Sequence, residues 1–436
     1  MDYVTEFLEL GRNNSENRSF NGRVMAKRDF GKIIFMTLKD QSGSMQIAFQ
    51  KNTLEDSFQR YGEINVGDII EVTGTPFKTK KGTKTLNVSK GKIVSSCLVP
   101  FPDKYNGLSR KNGQQNRGLE LAINDSTMSL FRRRNDIMRE LRQFLYKENF
   151  QEVDTGILQP VTNTSMSSEF KTYSNFFNRD LFLRKTPELR LKQLLVGGLE
   201  NIFEIGKNFR NEGISKVYHP EFTILELYKN RANYKDVLDL TIRLLTHLNE
   251  MVYCPSSNPT EVEQIYLYDF ISSQTGINPH AATIDKLKSA IDPTILKKYE
   301  GNEENIKGLY IYDVFRTLLK KHSDRNLVLH GIPKEISVLG KTFDDEPSLV
   351  EEFRYFVKGN IICNGITELT DYKEQERRIE QQARTFGKTL DRNDDQFLEL
   401  LKIGLPPCAG IGLGLEKTLM VYLETDDIRD VIYYPL

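Results

Sequence analysis

Between residues 20 and 98 one pattern recurs five times: a short run that is β-branched or alternates apolar with polar residues, then a turn. The runs are FNGRVMAKRD, KIIFMTLKD, GSMQIAFQ, DIIEVTGTPFKT and KTLNVSKGKIV, and Asp29, Gly31, Gly43, Gly67 and Gly82 punctuate them. Alternation at a period of two sends successive side chains to opposite faces, so each run reads as a short strand. A helical stretch, LEDSFQRYGEI, falls between the third and fourth runs.

Five strands with a helix after the third is the order of an OB-fold, a small barrel that binds single-stranded nucleic acid on one face by stacking bases on aromatic rings. Phe35 and Gln46 fall on neighbouring strands of that face. Phe35 is either a stacking ring or a barrel core residue, and its spacing leaves both open. Net charge is zero over 436 residues, yet residues 1–120 hold 19 Lys and Arg against 13 Asp and Glu, leaving the remainder acidic by six. A basic small domain on an acidic large one suits a polyanion bound at one end; a Lys-rich solvated surface gives the same count.

A chain of this length predicts two domains. We divide it into a barrel over 1–98, a linker over 99–125 rich in Pro, Gly, Asn and Gln, and a large domain over 126–436. In the large domain, SLFRRRNDIMRELRQFLYKENF has helical spacing, with Leu130, Ile137, Leu141 and Phe144 on one face. Strand-like runs (DLFLRKTPEL, NIFEIGKNFR, EFTILELYK, YFVKGNIICNGITELTD, CAGIGLGLEK) are mixed with further helices. That order predicts an α+β fold, an antiparallel sheet flanked by helices. No run of about 18 apolar residues predicts a membrane span, and MDYVTEFLELGRNN lacks the apolar region of a secretory signal. The four cysteines are far apart with no C-x-x-C pair, so neither a zinc site nor a disulfide framework is expected, and a reduced cytoplasmic setting fits.

The chemistry concentrates in FRNEGISKVYHPEFTILELY, residues 209–228. Two strands with a polar loop between them carry Arg210, Glu212, Glu221 and Glu226. Arg210 and Glu212 share a face, as do Glu226 and Tyr228. An arginine met by carboxylates and aromatics can bind a carboxylate or phosphate as a fork; the same residues can also be plain cross-strand ion pairs.

This string resembles motif 2 of class II aminoacyl-tRNA synthetases in its lysine-specific form. FLRKTPELRLKQLLVGG, IICNGITELTD, GLPPCAGIGLGLEKTLMVYL with DDIRDVIYYPL, and, in the small domain and linker, VMAKRDFGKIIFMTLKDQSG and PFPDKYNGL are similar to the same family, so the likeness covers residues 20–436. It implies an antiparallel catalytic sheet of six or seven strands, a homodimer, ATP and lysine as substrates, and tRNA as acceptor. Glu188, Glu226, Tyr228, Asn364 and Glu368 match the lysine pocket. Arg210 matches the arginine on the α-phosphate and substrate carboxylate, with Glu212 beside it, and Phe222 the ring that stacks on adenine. Arg28, Phe35 and Gln46 match barrel positions that meet the RNA.

Several positions depart from the pattern. Two glutamates that hold Mg2+ on ATP are replaced by Arg354 and Ile361, neither of which ligates a hard cation. Arg354 could supply positive charge directly to a phosphate. Lys417 stands where motif 3 ends in an arginine, keeping the charge without the planar fork. Gly156 follows EVDT in place of proline, TNTSMSS (162–168) replaces a Gly-rich loop, and Ile366 replaces an aromatic of the pocket. Three functions follow: a ligase that activates lysine or a lysine-like amino acid with ATP and passes it to tRNA or another acceptor, a paralogue that binds lysine or tRNA as a sensor, regulator or accessory protein, or an RNA-binding module with a relic catalytic domain.

Overall fold

The computed structural model describes residues 2–9, 16–102, 108–160, 168–252, 255–256, 258–297, 299, 303–385 and 392–436. The chain forms two compact units, Met1–Asp125 and Ser126–Leu436. Among the described residues no helix is long and apolar enough to cross a membrane.

The smaller unit is a closed five-stranded barrel. Its strands β1 (Arg18–Asp29), β2 (Ile33–Lys39), β3 (Ser44–Gln50), β4 (Ile69–Lys78) and β5 (Lys84–Ser95) close in the order β1-β2-β3-β5-β4. Alternation sets the inside: Ile34, Met36 and Leu38 of β2 are buried, while Ile33, Phe35 and Thr37 face outward. Phe35 is therefore not a core residue. The helical segment after β3 is three short turns, Lys51–Leu54, Glu55–Ser57 and Phe58–Tyr61, broken where Glu55 adopts a φ of 44°. Leu54, Phe58 and Tyr61 still join the barrel core. Within the span 99–125, two short helices form, Arg110–Gln115 and Arg117–Ile123, the first capped by Ser109, whose hydroxyl accepts from the Asn112 amide.

The larger unit is built on β6 (Gln151–Glu152), β7 (Leu158–Gln159), β8 (Lys171–Ser174), β9 (Arg179–Leu183), β10 (Asn201–Phe209), β11 (Glu221–Asn230), β12 (Glu263–Tyr266), β13 (Leu327–Pro333), β14 (Leu349–Val357), β15 (Asn360–Thr367) and β16 (Cys408–Gly414). The main sheet runs β12-β13-β14-β15-β16-β11-β10-β6. Its six central strands are antiparallel, as expected. Two short outer strands, β6 and β12, pair parallel to their neighbours, which brings the sheet to eight. The run YFVKGNIICNGITELTD is a hairpin, not one strand. Lys358 and Gly359, at φ 47° and 72°, make the two-residue turn between β14 and β15 that left-handed backbone favours.

One face of this sheet is apolar and lies in the main core. Leu225, Leu227, Phe353, Tyr355, Ile411 and Leu413 pack there with the helices Asp125–Lys147, Tyr234–Met251 and Leu415–Leu423. Of the predicted helical stripe, Ile137, Leu141 and Phe144 are buried and Leu130 packs alongside. The intervening residues of the same strands are turned to the opposite face, which carries the polar site. A second core, around the helices Leu267–Thr275 and Glu303–Lys321, covers the β13 end of that opposite face.

Candidate active site

Strand register builds the floor of the site. Across β11, β16, β15 and β14, Glu226, Gly412, Asn364 and Arg354 form one row, and Tyr228, Gly410, Ile366 and Glu352 form the next. Gly410 and Gly412 leave this floor open. A Cβ at Gly410 would lie 2.4 Å from the Tyr228 ring, and one at Gly412 would lie 3.2 Å from the Glu226 carboxylate. Above the floor is a cavity of about 220 Å³ lined by Glu188, Glu226, Tyr228, Arg354, Asn364 and Glu368. Five sequence-predicted pocket residues and the arginine at a predicted metal position are thus brought together by strands distant in sequence.

The cavity wall is acidic, and one lysine sits within it. Glu188 begins the helix Glu188–Val196, and Lys192, one turn later, is fully buried. Its Nζ lies 2.8 Å from the Glu188 carboxylate and 2.5 Å from that of Glu368. The same ammonium lies 5.8 Å from the Tyr228 ring centre and 5.2 Å from that of Phe397. Burial alone would depress the Lys192 pKa, but Glu188 and Glu368 outweigh it and raise it, so the ammonium stays charged. Burial pushes the Glu368 carboxyl up to about 7 despite Lys192, with Glu188 adding to the rise. Glu226 is also pushed well above the usual carboxylate range, by burial and then by the Glu188 charge. Tyr228 donates to Glu226 at 3.3 Å, and Glu368 Oε1 is buried with no hydrogen-bond partner among the described residues. Sequence reasoning missed Lys192; its signal was the four-residue spacing after Glu188.

At the β16 end a cationic cluster follows. Arg210 leaves β10 with its guanidinium 5.2 Å from the Phe222 ring centre. Lys417 lies 4.8 Å from the Tyr218 ring centre, and burial followed by the Arg210 charge lowers its pKa. Glu416 ties this end to β11, accepting from the Thr223 amide and hydroxyl at 2.7 Å each. Arg210, Phe222 and Lys417 are thus neighbours, whereas the Glu212 side chain is exposed in the loop and its amide donates to the Arg210 carbonyl. In TNTSMSS, residues 162–167 lie outside the described residues.

The barrel's candidate interface belongs to the other unit. Arg28 pairs with Phe35 across β1 and β2, and Gln46 pairs with Thr37 across β2 and β3, so all three share the outer face. Phe30, 65% exposed, stands edge-on to Phe35 at 6.2 Å. Sequence reasoning missed this second ring because Phe30 lies in the turn rather than on a strand.

Known proteins share this organisation. The family model of tRNA synthetases class II (D, K and N) matches residues 109–436, and that of an OB-fold nucleic acid binding domain matches residues 19–94. A lysine–tRNA ligase of Thermotoga maritima is 35% identical over 456 residues, covering 99% of this chain and 88% of that protein. One of Baumannia cicadellinicola is 34% identical over 455 residues, covering 98% and 89%. One of Clostridium tetani is 32% identical over 437 residues, covering 95% and 86%.

Removing Lys192 alone leaves its carboxylates facing one another. Lys192→Met is expected to cost about 3–5 kcal/mol at pH 8, the usual penalty for breaking a buried ion pair. Carboxylates with raised pKa values favour the protonated form in the folded state, so the variant's deficit shrinks as pH falls from 8 towards 5.5. Urea unfolding of both proteins across that range measures it; a deficit independent of pH would show that the carboxylates do not depend on Lys192.

Proposed function

Since this chain belongs to the class II tRNA synthetases, in the family of the lysine–tRNA ligases, we propose that it joins lysine to AMP from ATP and passes the lysyl group to the 3′ end of a tRNA. The observation that carries this reading is the buried acidic pocket around Lys192. Glu188, Glu226 and Glu368 bring three carboxyl groups against the one ammonium of Lys192, so the wall keeps acidic groups for further cations. Lysine carries two ammonium groups. The Lys192 contacts display how Glu188, Glu368 and the Tyr228 ring hold a primary ammonium. Asn364 and Ile366 on β15 complete the wall for the methylene chain.

The lysine carboxylate then meets the cationic cluster. In the first step a carboxylate oxygen bonds to the α-phosphorus of ATP, and the α–β anhydride bond breaks with its electron pair leaving on pyrophosphate. Arg210 faces the charge that builds on the α-phosphoryl oxygens, where a fixed guanidinium favours the transition state over the ground state. Phe222 offers its ring to adenine, and Lys417 offers positive charge at the β16 end. In the second step a ribose hydroxyl of the tRNA attacks the acyl carbon and AMP leaves. The outer face of the barrel, with Arg28, Phe30, Phe35 and Gln46, is our candidate for holding the RNA. The homodimer of the family belongs to the same reading.

Lysine-dependent exchange of pyrophosphate into ATP tests the activity. Exchange that requires lysine is expected; none with lysine or its near analogues would overturn the ligase in favour of a binding paralogue. Lysine affinity should also depend on pH. An ammonium group of lysine favours ionised Glu368, so binding expels any proton held there. Affinity is expected to fall by up to about tenfold per pH unit below about 7 and to level off above it. Calorimetry with lysine in buffers of different ionisation enthalpy reads the released proton. For the barrel, Phe35→Ala should weaken tRNA binding by about 1–3 kcal/mol if its ring stacks a base; unchanged affinity would remove Phe35 from the interface.

A further inference from the structure

The family's metal positions and this chain's residues disagree. Arg354 and Ile361 occupy the places of two magnesium-holding glutamates, and both lie on the site face of the sheet or at its edge. Ile361 packs against the second apolar core, where it offers no oxygen to a cation. Arg354 brings a positive charge into the cavity itself. A divalent ion held by the protein at these two positions does not fit this donor set.

What stands there is a preset cation. Arg354 Nε donates to Glu352 at 2.7 Å, and Nη1 donates to the Tyr312 hydroxyl at 2.5 Å. The Tyr312 ring lies 4.7 Å from the guanidinium carbon. These contacts fix the plane of the guanidinium, so little rotamer freedom is left to lose on binding an anion. They do not exhaust its donors. Nη2 has no protein hydrogen-bond partner among the described residues, and the side chain remains 16% exposed. Tyr312 accepts from Arg354, which leaves its own hydroxyl hydrogen for another acceptor. Arg354 lines the cavity, so its unspent donor can meet a phosphate oxygen there, with the Tyr312 hydroxyl beside the guanidinium. Register places them suitably. Arg354 shares its row with Glu226, and the next row on, away from Tyr228, carries Ile224 and Gly414, towards Phe222. The guanidinium thus lies in the pocket row itself, and the end assigned to adenine begins two rows further along β11, so a triphosphate reaching from Phe222 towards the pocket approaches it.

We propose that Arg354, with Tyr312, is a phosphate-binding group that takes the place of a protein-held divalent ion, so that this chain activates its amino acid on ATP without a metal bound at this site. This rests on the ligase reading above, and it deepens that reading by naming the nucleotide form the site takes. Arg354 would neutralise charge on the β- or γ-phosphoryl oxygens as pyrophosphate leaves, and would itself exchange no proton.

The experiment has two arms. In the first, lysine-dependent pyrophosphate exchange is measured with the full chain in excess EDTA and then with added Mg2+. Exchange in EDTA within about threefold of the Mg2+ rate is expected; a loss of more than about a hundredfold, restored by Mg2+, overturns the proposal. The second arm needs no turnover, so it still decides if the ligase reading fails. Binding of ATP and of AMP is measured in EDTA for the native chain and for the double variant Glu352→Gln, Arg354→Met. That pair removes the cation without stranding the Glu352 carboxylate, and unfolding curves check that it folds. The native chain is expected to prefer ATP over AMP, and the variant to lose about tenfold or more in ATP affinity with AMP affinity kept. An ATP-over-AMP preference that survives in the variant would overturn the proposal.

Discussion

Three carboxylates on one buried wall are tolerable only because an ammonium is buried with them. Glu188, Glu226 and Glu368 come from a helix start, a central strand and a strand end, and Lys192 reaches Glu188 and Glu368 from one turn inside that helix. Without it, like charges in a medium of low polarity would force protons onto the acids or push the helix off the sheet. The arrangement is still short of balance, as the raised Glu368 and Glu226 pKa values express. Lys192 holds the empty wall together, and on the proposed function the same wall receives the ammonium groups of lysine.

The sheet makes this possible by keeping its two faces chemically separate. Leu225, Leu227, Ile411 and Leu413 go to the core, while Glu226, Tyr228, Gly410 and Gly412 go to the site, residue by residue along the same two strands. A one-residue slip in register would bury the acids in the main core, so apolar packing on one face holds the polar geometry on the other. The glycines matter for a similar reason. Tyr228 and Glu226 occupy space that side chains at Gly410 and Gly412 would claim.

Much of this was legible in the sequence where the signal is local. Strand alternation in residues 20–98 is repeated often enough to predict a barrel, and the motif strings locate Glu188, Glu226, Tyr228, Asn364 and Glu368 one by one. Two kinds of feature were not legible. Phe35 could not be assigned to the inside or outside of the barrel, because an apolar residue satisfies either phase of the alternation; only its neighbours Ile34 and Met36, both buried, decide it. Partnerships over long separations were also hidden. Lys192 meets Glu368 across 176 residues, and Arg354 meets Tyr312 on the helix Glu303–Lys321, which belongs to the second apolar core.

The departures in the nucleotide half share a logic visible only in three dimensions. Two of the replacing side chains are cations, and each lies over a tyrosine, Lys417 over Tyr218 and Arg354 over Tyr312, while Ile361 brings no charge. Tyr218 itself stands in the motif 2 string, four residues before Phe222. A ring face attracts a cation without cancelling its charge, unlike a carboxylate, and so orients the group while leaving its field free for phosphate. Lysine at 417 lacks the fork of an arginine, and the Tyr218 ring restores some of the direction that is lost. At Arg354 the Glu352 carboxylate does part of the pinning, so the remaining attraction for phosphate must come from unspent donors rather than from net charge alone. The two ring-oriented cations fit the proposal above, in which positive side chains meet the triphosphate.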